Sequence, residues 1–296
     1  MMKRLNNCPL CFAEAIKPYL QVEDHFLSKE VFVIHRCEAC GFRFTNPRPQ
    51  SEQLAAYYKS DAYIAHSNTH KGMVAKIYQW VRKRTIRKKV ARLRGEELHG
   101  DLLDIGCATG EFLHAFQQHG WTVAGIEPDQ DAASYARTHY GLSVYPEAQL
   151  DHLPDASFDL ITMWHVLEHV EAFRQRMETV IRLLKPGGRV VIAVPNPDSY
   201  DARHYGSFWA AWDVPRHLSH FSQDDMHALC VDQLGLEARS IHPMPFDSFY
   251  VSMLSEKYRG KPLGFVRAIF VGLFSNLSAI RSGEYSSLTY VFRKSR

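Results

Sequence analysis

The sequence predicts an α/β fold, a Rossmann-like sheet with a small cysteine-bound module at its amino terminus. Three observations predict it. Leu102-Leu103-Asp104-Ile105, then Gly106-Cys107-Ala108-Thr109-Gly110, then Glu111-Phe112-Leu113 reads as a buried strand, a glycine-bearing turn and a helix start. Val123-Ala124-Gly125-Ile126 repeats the apolar strand and ends on Glu127. Ahead of both, Cys8-Pro9-Leu10-Cys11 and Cys37-Glu38-Ala39-Cys40 make two Cys-x-x-Cys knuckles separated by 25 residues. The 296 residues, 46% hydrophobic and 23% charged, agree with a folded soluble protein of one large or two smaller domains. No apolar run follows Met1-Met2-Lys3-Arg4, so the expectation is a cytoplasmic protein, free or peripheral to the inner face of the membrane.

The amino-terminal element comes first. Val31-Phe32-Val33-Ile34 reads as a strand leading into the second knuckle, and Gly41-Phe42 supplies the small turn after it. Cys8, Cys11, Cys37 and Cys40 at this spacing can close a tetrahedral structural zinc site, with redox chemistry or an iron–sulfur cluster as the alternatives. A closed four-thiolate site has no open position, which argues for folding rather than catalysis. Cys107 and Cys230 read as ordinary buried residues. The ribbon is expected over residues 1–47, ended by Asn46-Pro47-Arg48-Pro49, with Ser51 capping a short helix through Tyr58.

A linker follows over residues 48–97. From Lys71 to Arg94 it holds ten Lys/Arg and no acid, so without it the formal net charge of +3 would be about −7. Ile77, Trp80, Val81, Ile86, Val90 and Leu93 recur at roughly helical spacing, which makes the segment a basic amphipathic helix. It reads first as a solvated helix leaning on the next domain. An anionic membrane surface and a nucleic acid are the sharper alternatives.

The region from residue 98 carries the chemistry. The turn's glycines permit close backbone approach, and the helix start presents free N–H groups. Glu127, 23 residues after Asp104, stands where an acid takes both hydroxyls of a ribose, so the residues point to a nucleoside-bearing cofactor. The turn lacks the Gly-x-Gly-x-x-Gly of dinucleotide sites. Asp104-Ile105-Gly106-Cys107-Ala108-Thr109-Gly110 instead resembles motif I of class I S-adenosylmethionine (SAM) methyltransferases, with Ala108 in place of the middle glycine. Ser157 to Val170 and Leu183 to Asn196 look like that superfamily's fourth strand and its turn into the fifth. Together they resemble the ubiquinone-biosynthesis-like small-molecule branch over residues ~98–240.

The resemblance implies a seven-stranded sheet over residues 98–296, with a substrate or lid insertion at 200–222 and a helical insertion at 244–283. It implies that Asp104, Gly106, Gly110 and Glu127 hold the cofactor, with Gln149 and Leu150 at the adenine and His165 lining the pocket. His165, Glu168 and His169 are at helical spacing if a helix begins there. Two tryptophans, an acid, an arginine and two histidines crowd Phe208 to Phe221. Trp209 and Trp212 are read as walls for the acceptor, Arg216 as an anion anchor, and His217, then His220, as the general base.

Leu263 to Ile280 is nearly all apolar, with Val266, Ile269, Phe270, Leu273, Leu277 and Ile280 on one face. Arg267 and Gly272 make it a poor membrane span, and it reads as a packed helix before the last strand, an interfacial helix and a lid being the alternatives. Ser240 to Pro243 and Glu284 to Arg293 read as the closing strands. The function expected is SAM-dependent methyl transfer to a small-molecule acceptor such as a sugar, quinone or lipid-linked metabolite. An RNA-modifying enzyme using ribbon and basic helix is the alternative, with a non-catalytic SAM-binding protein behind it. Against RNA, Met163-Trp164-His165-Val166 stands where amino-methylating base enzymes carry Asn/Asp-Pro-Pro-Tyr. Oligomeric state is not legible.

Overall fold

The computed structural model describes residues 2–58, 73–94 and 99–296. The chain falls into two compact units: Met1–Ser60, His165–Arg176 and Ile192–Val291 form one, and Asp61–Trp164, Met177–Val191 and Phe292–Arg296 the other. These bounds differ from the ribbon, linker and catalytic divisions read from the sequence, because the ribbon shares its unit with later segments. Its strands are β1 (Met2–Lys3), β2 (Ile16–Glu23), β3 (Val31–Cys37), β4 (Arg43–Thr45) and β5 (Arg48–Pro49). β2 and β3 form an antiparallel pair from Ile16↔Cys37 to Glu23↔Val31, and β3 continues onto β4. The strand expected at Val31–Ile34 is thus observed and runs on into the knuckle. Asn46 closes the segment by gripping the Leu5 backbone, accepting from its N–H at 2.8 Å and donating to its carbonyl at 3.0 Å.

After the short helix α1 (Ser51–Leu54) comes the expected basic helix, α2 (Met73–Arg94). Of its apolar stripe, Val90 and Leu93 are buried. The side chains of Ile77, Trp80 and Val81 lie outside the described residues. The next elements alternate: β6 (Asp101–Ile105), α3 (Glu111–Gln117), β7 (Thr122–Ile126), α4 (Gln130–Tyr140), β8 (Ser143–Tyr145) and β9 (Phe158–Trp164). β6 pairs in parallel with both β7 and β9, and β7 with β8. Parallel strands covered on both faces read as continuous apolar runs, which is why Leu102, Leu103, Leu160 and Ile161 are wholly buried.

α5 (Phe173–Leu183), β10 (Leu184–Pro195), α6 (Tyr200–Tyr205), β11 (Ser219–His220), α7 (Gln223–His227), β12 (Glu237–Pro243), α8 (Asp247–Arg259), α9 (Gly264–Ser282) and β13 (Ser287–Arg293) complete the chain. The main sheet has seven strands in the order β12-β13-β10-β9-β6-β7-β8. Both closing strands expected from the carboxyl-terminal sequence are present in it, and α8 and α9 fill the stretch between them.

Part of the segment expected as a substrate insertion joins the ribbon. β11 adds to the ribbon's sheet, making it four-stranded in the order β11-β4-β3-β2. Val22, Phe32 and Ile34 of the hairpin share one core with Ala202, Tyr205, Trp209, Trp212 and Val214. A ribbon this small buries too little of its own apolar surface, and the 200–222 segment supplies the missing half of its core. This core joins stretches about 180 residues apart in sequence, with Val251 of α8 and Val271 of α9 added to it.

Candidate active site

The β6–α3 turn follows a left-handed path. Gly106 has φ 76° and Gly110 φ 82°, and Ala108 between them has φ 47°. Alanine therefore keeps the path that glycine would take there, at a cost of about 1–2 kcal/mol. Gly110 answers two demands at once: a Cβ there would lie 2.6 Å from Leu142 Cδ1 and 2.9 Å from Ala136 Cβ. Its glycine is required by the packing of α4 as much as by any ligand.

Glu127 leaves the end of β7 with both oxygens engaged. Oε2 accepts from the Ala108 N–H at 2.7 Å and Oε1 from the Asp129 N–H at 2.9 Å. Burial raises its carboxyl's pKa, and those two N–H groups pull the other way. The strained position of the turn is thus tied to the acid at the neighbouring strand's end. Asp104, on β6, accepts from Thr162 Oγ1 of β9 at 2.5 Å. Burial pushes its pKa up to about 7 against that bond. Leu150 is buried in the 3-10 turn Glu147–His152, whereas Gln149 is exposed. Trp164 at the end of β9 carries the Lys89 amine 3.3 Å above its ring.

His165 follows β9, but no helix begins there: its own φ is 56°, and the only regular turn is a 3-10 turn over Leu167–His169. The left-handed residue turns the imidazole so that Nδ1 lies 3.2 Å from Glu168 Oε1 and Nε2 3.4 Å from Asp247 Oδ2. Burial would lower its pKa, but the bonds to Asp247 and Glu168 outweigh it and raise it to about 9. An imidazolium cannot accept a proton, so His165 in this arrangement is a cation rather than a base. Asp247 had no signal in the sequence, being 82 residues away on α8.

His217 and His169 come together, their rings 4.6 Å apart and near perpendicular. The pairing was not foreseen, because His169 was grouped with His165. Burial pushes the pKa of His169 down to about 4. His220 lies on β11 with its ring against Trp212 at 4.9 Å. Burial drives its pKa well down too, so it stays neutral inside the ribbon sheet.

Three residues read as acceptor-binding sit in the core instead. Trp209 donates its indole N–H to Asp201 at 2.7 Å, and Trp212 donates to the Gly206 carbonyl at 2.8 Å. Both rings are buried, packed edge to face 5.0 Å apart. Arg216 is buried and holds Asp24 at 2.9 Å and Asp213 at 2.6 Å, with a further bond to the Tyr57 carbonyl. With its fork committed to two carboxylates, Arg216 has no free face for an anionic ligand.

The four cysteines converge. Cys8 and Cys40 Sγ are 3.7 Å apart and Cys11 and Cys37 Sγ 3.5 Å, all four lying within 4.8 Å of one another. A tetrahedron with metal–sulfur bonds of about 2.3 Å has edges of about 3.8 Å, so these are metal-site spacings and not disulfides. The knuckles are backbone turns: Gly41 N–H donates to the Cys37 carbonyl and Phe12 N–H to that of Cys8.

A family model described as a methyltransferase domain matches residues 78–241, more than half of the chain. The chain belongs to that family. Its curated relatives include the ubiquinone biosynthesis O-methyltransferase of Pseudomonas fluorescens strain SBW25, 30% identical over 132 residues, which are 41% of this chain and 56% of that one. The enzyme of the same description from Rhizobium leguminosarum bv. trifolii strain WSM2304 is 34% identical over 101 residues, 32% of this chain and 40% of its own. The chain therefore spans about half the length of the curated relatives it matches. Among solved structures it resembles the [4+2]-cyclase SpnF, with TM-score 0.54, 16% identity and coverage of 84% and 98% of the two chains. The geranyl diphosphate C-methyltransferase from Streptomyces coelicolor A3(2) aligns with TM-score 0.50, 13% identity and coverage of 72% and 76%. At such identities the likeness is one of fold, and one fold shared by a cyclase and a C-methyltransferase does not select an acceptor. The left-handed β6–α3 turn and the acid closing β7 both lie within the residues that the family model matches.

Proposed function

We propose that this methyltransferase transfers the methyl group of SAM to a hydroxyl of a small, lipid-linked acceptor met at an anionic membrane surface, with zinc in the four-cysteine cluster. When bound, SAM supplies an electrophilic methyl group and leaves as S-adenosylhomocysteine. The chain's task is to hold the two reactants aligned and dry. Glu127 is placed to take the ribose hydroxyls through the lone pairs that its two backbone bonds leave free. The zinc is assigned on its donor set, four thiols at tetrahedral spacing in knuckle turns.

One observation carries the lipid reading: α9 is inside out. Its buried side chains are the small ones, Ala268, Val271, Ser275 and Ala279, together with Gly272, packed on α8. Its large ones face solvent, with Phe265 65%, Phe270 58% and Ile280 70% exposed. The helix packs before the last strand as expected, but on its small residues, and the large apolar face read from the sequence is the outward one. Small residues between helices and large apolar ones outside is the pattern of helices that meet lipid. The helix has 19 residues, about 28 Å. It carries no acid but includes Arg267 and Arg281, and Lys257, Arg259 and Lys261 precede it in sequence, Arg259 and Arg267 also meeting Glu256. This basic balance suits an anionic surface.

The test has two arms. The protein should float with vesicles containing phosphatidylglycerol, and Phe270→Glu with Phe274→Glu should weaken that binding at least a hundredfold, since two buried Phe side chains contribute roughly 3 kcal/mol or more. With SAM present, a polyprenyl-tailed phenol in those vesicles should be methylated faster than its tail-free head group. Self-association that the double variant abolishes, with no vesicle binding by either protein, would overturn the lipid reading.

A further inference from the structure

Glu168, His169 and His217 meet in a way that neither the fold nor methyl transfer explains. Each offers one ligand atom, and the three atoms lie within 4.8 Å of one another. His169 Nδ1 is 3.1 Å from the Arg216 carbonyl oxygen, and His217 Nδ1 is 2.9 Å from that of Ala211. A carbonyl only accepts, so the His217 Nδ1 bears the hydrogen and its Nε2 carries a lone pair. His169 Nδ1 also meets the Tyr58 hydroxyl at 2.9 Å, which can donate or accept. Glu168 is 1% exposed, and its Oε2 is buried with no hydrogen-bond partner. Its other oxygen is engaged by His165. Two imidazoles and a carboxylate, one of whose oxygens has no hydrogen-bond partner, therefore converge.

The nearby positive charge is already spent. Arg216 is held by Asp24 and Asp213, and His165 lies between Glu168 Oε1 and Asp247. His217 Nε2 has a further carboxylate, Asp213 Oδ2, 3.9 Å away. A buried carboxylate oxygen with no hydrogen-bond partner is costly unless a cation joins it.

We propose that Glu168, His169 and His217 bind a divalent transition-metal ion, separate from the metal of the cysteine cluster. Two imidazole nitrogens and one carboxylate oxygen suit Mn(II), Fe(II), Co(II) or Zn(II) better than Mg(II) or Ca(II). The Ala211 carbonyl is the kind of outer partner that fixes a ligand histidine, His217, in the required tautomer, and Arg216 and Tyr58 orient the His169 ring. Three protein ligands leave coordination positions open, so the ion would carry exchangeable water or an oxygen of the acceptor and make that oxygen more acidic. That last role rests on the methyltransfer reading, whereas binding of the ion does not.

The competing occupant is a proton. The experiment uses the full chain with its cysteine cluster loaded, titrated with Mn(II) and followed by the spin-resonance signal of the free ion, since four thiolates take Mn(II) poorly. One Mn(II) per chain is expected. Co(II) at the same site should give visible ligand-field bands without thiolate charge transfer. Glu168→Gln and, separately, His217→Gln should each weaken Mn(II) binding at least tenfold while the cysteine-bound metal and the affinity for SAM stay unchanged. No Mn(II) or Co(II) bound outside the cysteine cluster, or equal binding in both variants, would overturn the proposal. Intact metal binding without methyl transfer to any phenol would instead count against the acceptor reading alone.

Discussion

Replacing Glu127 with alanine is expected to weaken SAM binding at least a hundredfold while the sheet stays folded. Two losses add. A ribose pair of hydroxyls donating to one carboxylate makes two charge-assisted hydrogen bonds, worth about 1.5–3 kcal/mol each, and a hundredfold in Kd needs about 2.7 kcal/mol. The same carboxylate also anchors the turn, because Oε2 accepts from Ala108 N–H and Ala108 is the residue held at φ 47°. Without the anchor, the left-handed alanine costs about 1–2 kcal/mol that nothing repays, and the turn should relax before the cofactor arrives. Glu127→Gln gives the diagnostic intermediate: its carbonyl keeps one backbone bond, while its amide N–H₂ faces the other backbone N–H. Calorimetric titration with SAM and with S-adenosylhomocysteine measures all three proteins. An unchanged Kd in Glu127→Ala, with an unchanged melting temperature, would remove Glu127 from the cofactor's site.

What the sequence made legible was local. The strand–turn–helix–strand around Gly106 and Gly110 is encoded within about 25 residues, by apolar runs and by glycines whose φ the turn demands. The two knuckles are likewise short motifs, and joining them needs only the β2–β3 hairpin between them. What was not legible depends on partners far along the chain. Arg216 looked like an anion anchor because its composition is polar and aromatic, yet its first partner, Asp24, lies 192 residues away. Trp209 and Trp212 looked like pocket walls for the same reason, and the ribbon strands that bury them gave no local sign of it. On α9 the period revealed an apolar face but not its direction. Only the packing of Ala268, Gly272 and Ser275 against α8 shows that the large side chains point outward. His169 and His217 were each noticed separately, and no spacing rule joins residues 48 positions apart.

Removing the metal from the cysteine cluster, or substituting Cys37→Ser, should abolish turnover yet leave SAM binding within a few-fold of normal. Structural zinc sites carry about 10–16 kcal/mol of binding free energy that appears as folding free energy, more than the whole stability of most domains. With zinc bound, the β2–β3 hairpin would depend on it: Cys37 ends β3, and a two-stranded hairpin alone is marginal in water. The loss then spreads through a shared core. Phe32 and Ile34 pack with Trp209, Trp212 and Val214, and β11 pairs with β4, so melting the hairpin uncovers the segment that holds His217 and Arg216. Asp24, the buried partner of Arg216, sits at the hairpin's own turn and goes with it. The residues read as cofactor-binding, Asp104, Gly106, Gly110 and Glu127, all belong to the other compact unit, so their retention of SAM is the expected result. Metal analysis should find one zinc per chain at the cysteines, and hydrogen exchange should show protection lost over residues 16–45 and 202–220 after zinc removal but kept in β6, β7 and β9. Uniform loss across both units would mean that the ribbon's metal holds the whole fold. Retained turnover in the zinc-free protein would reduce the ribbon to an appendage.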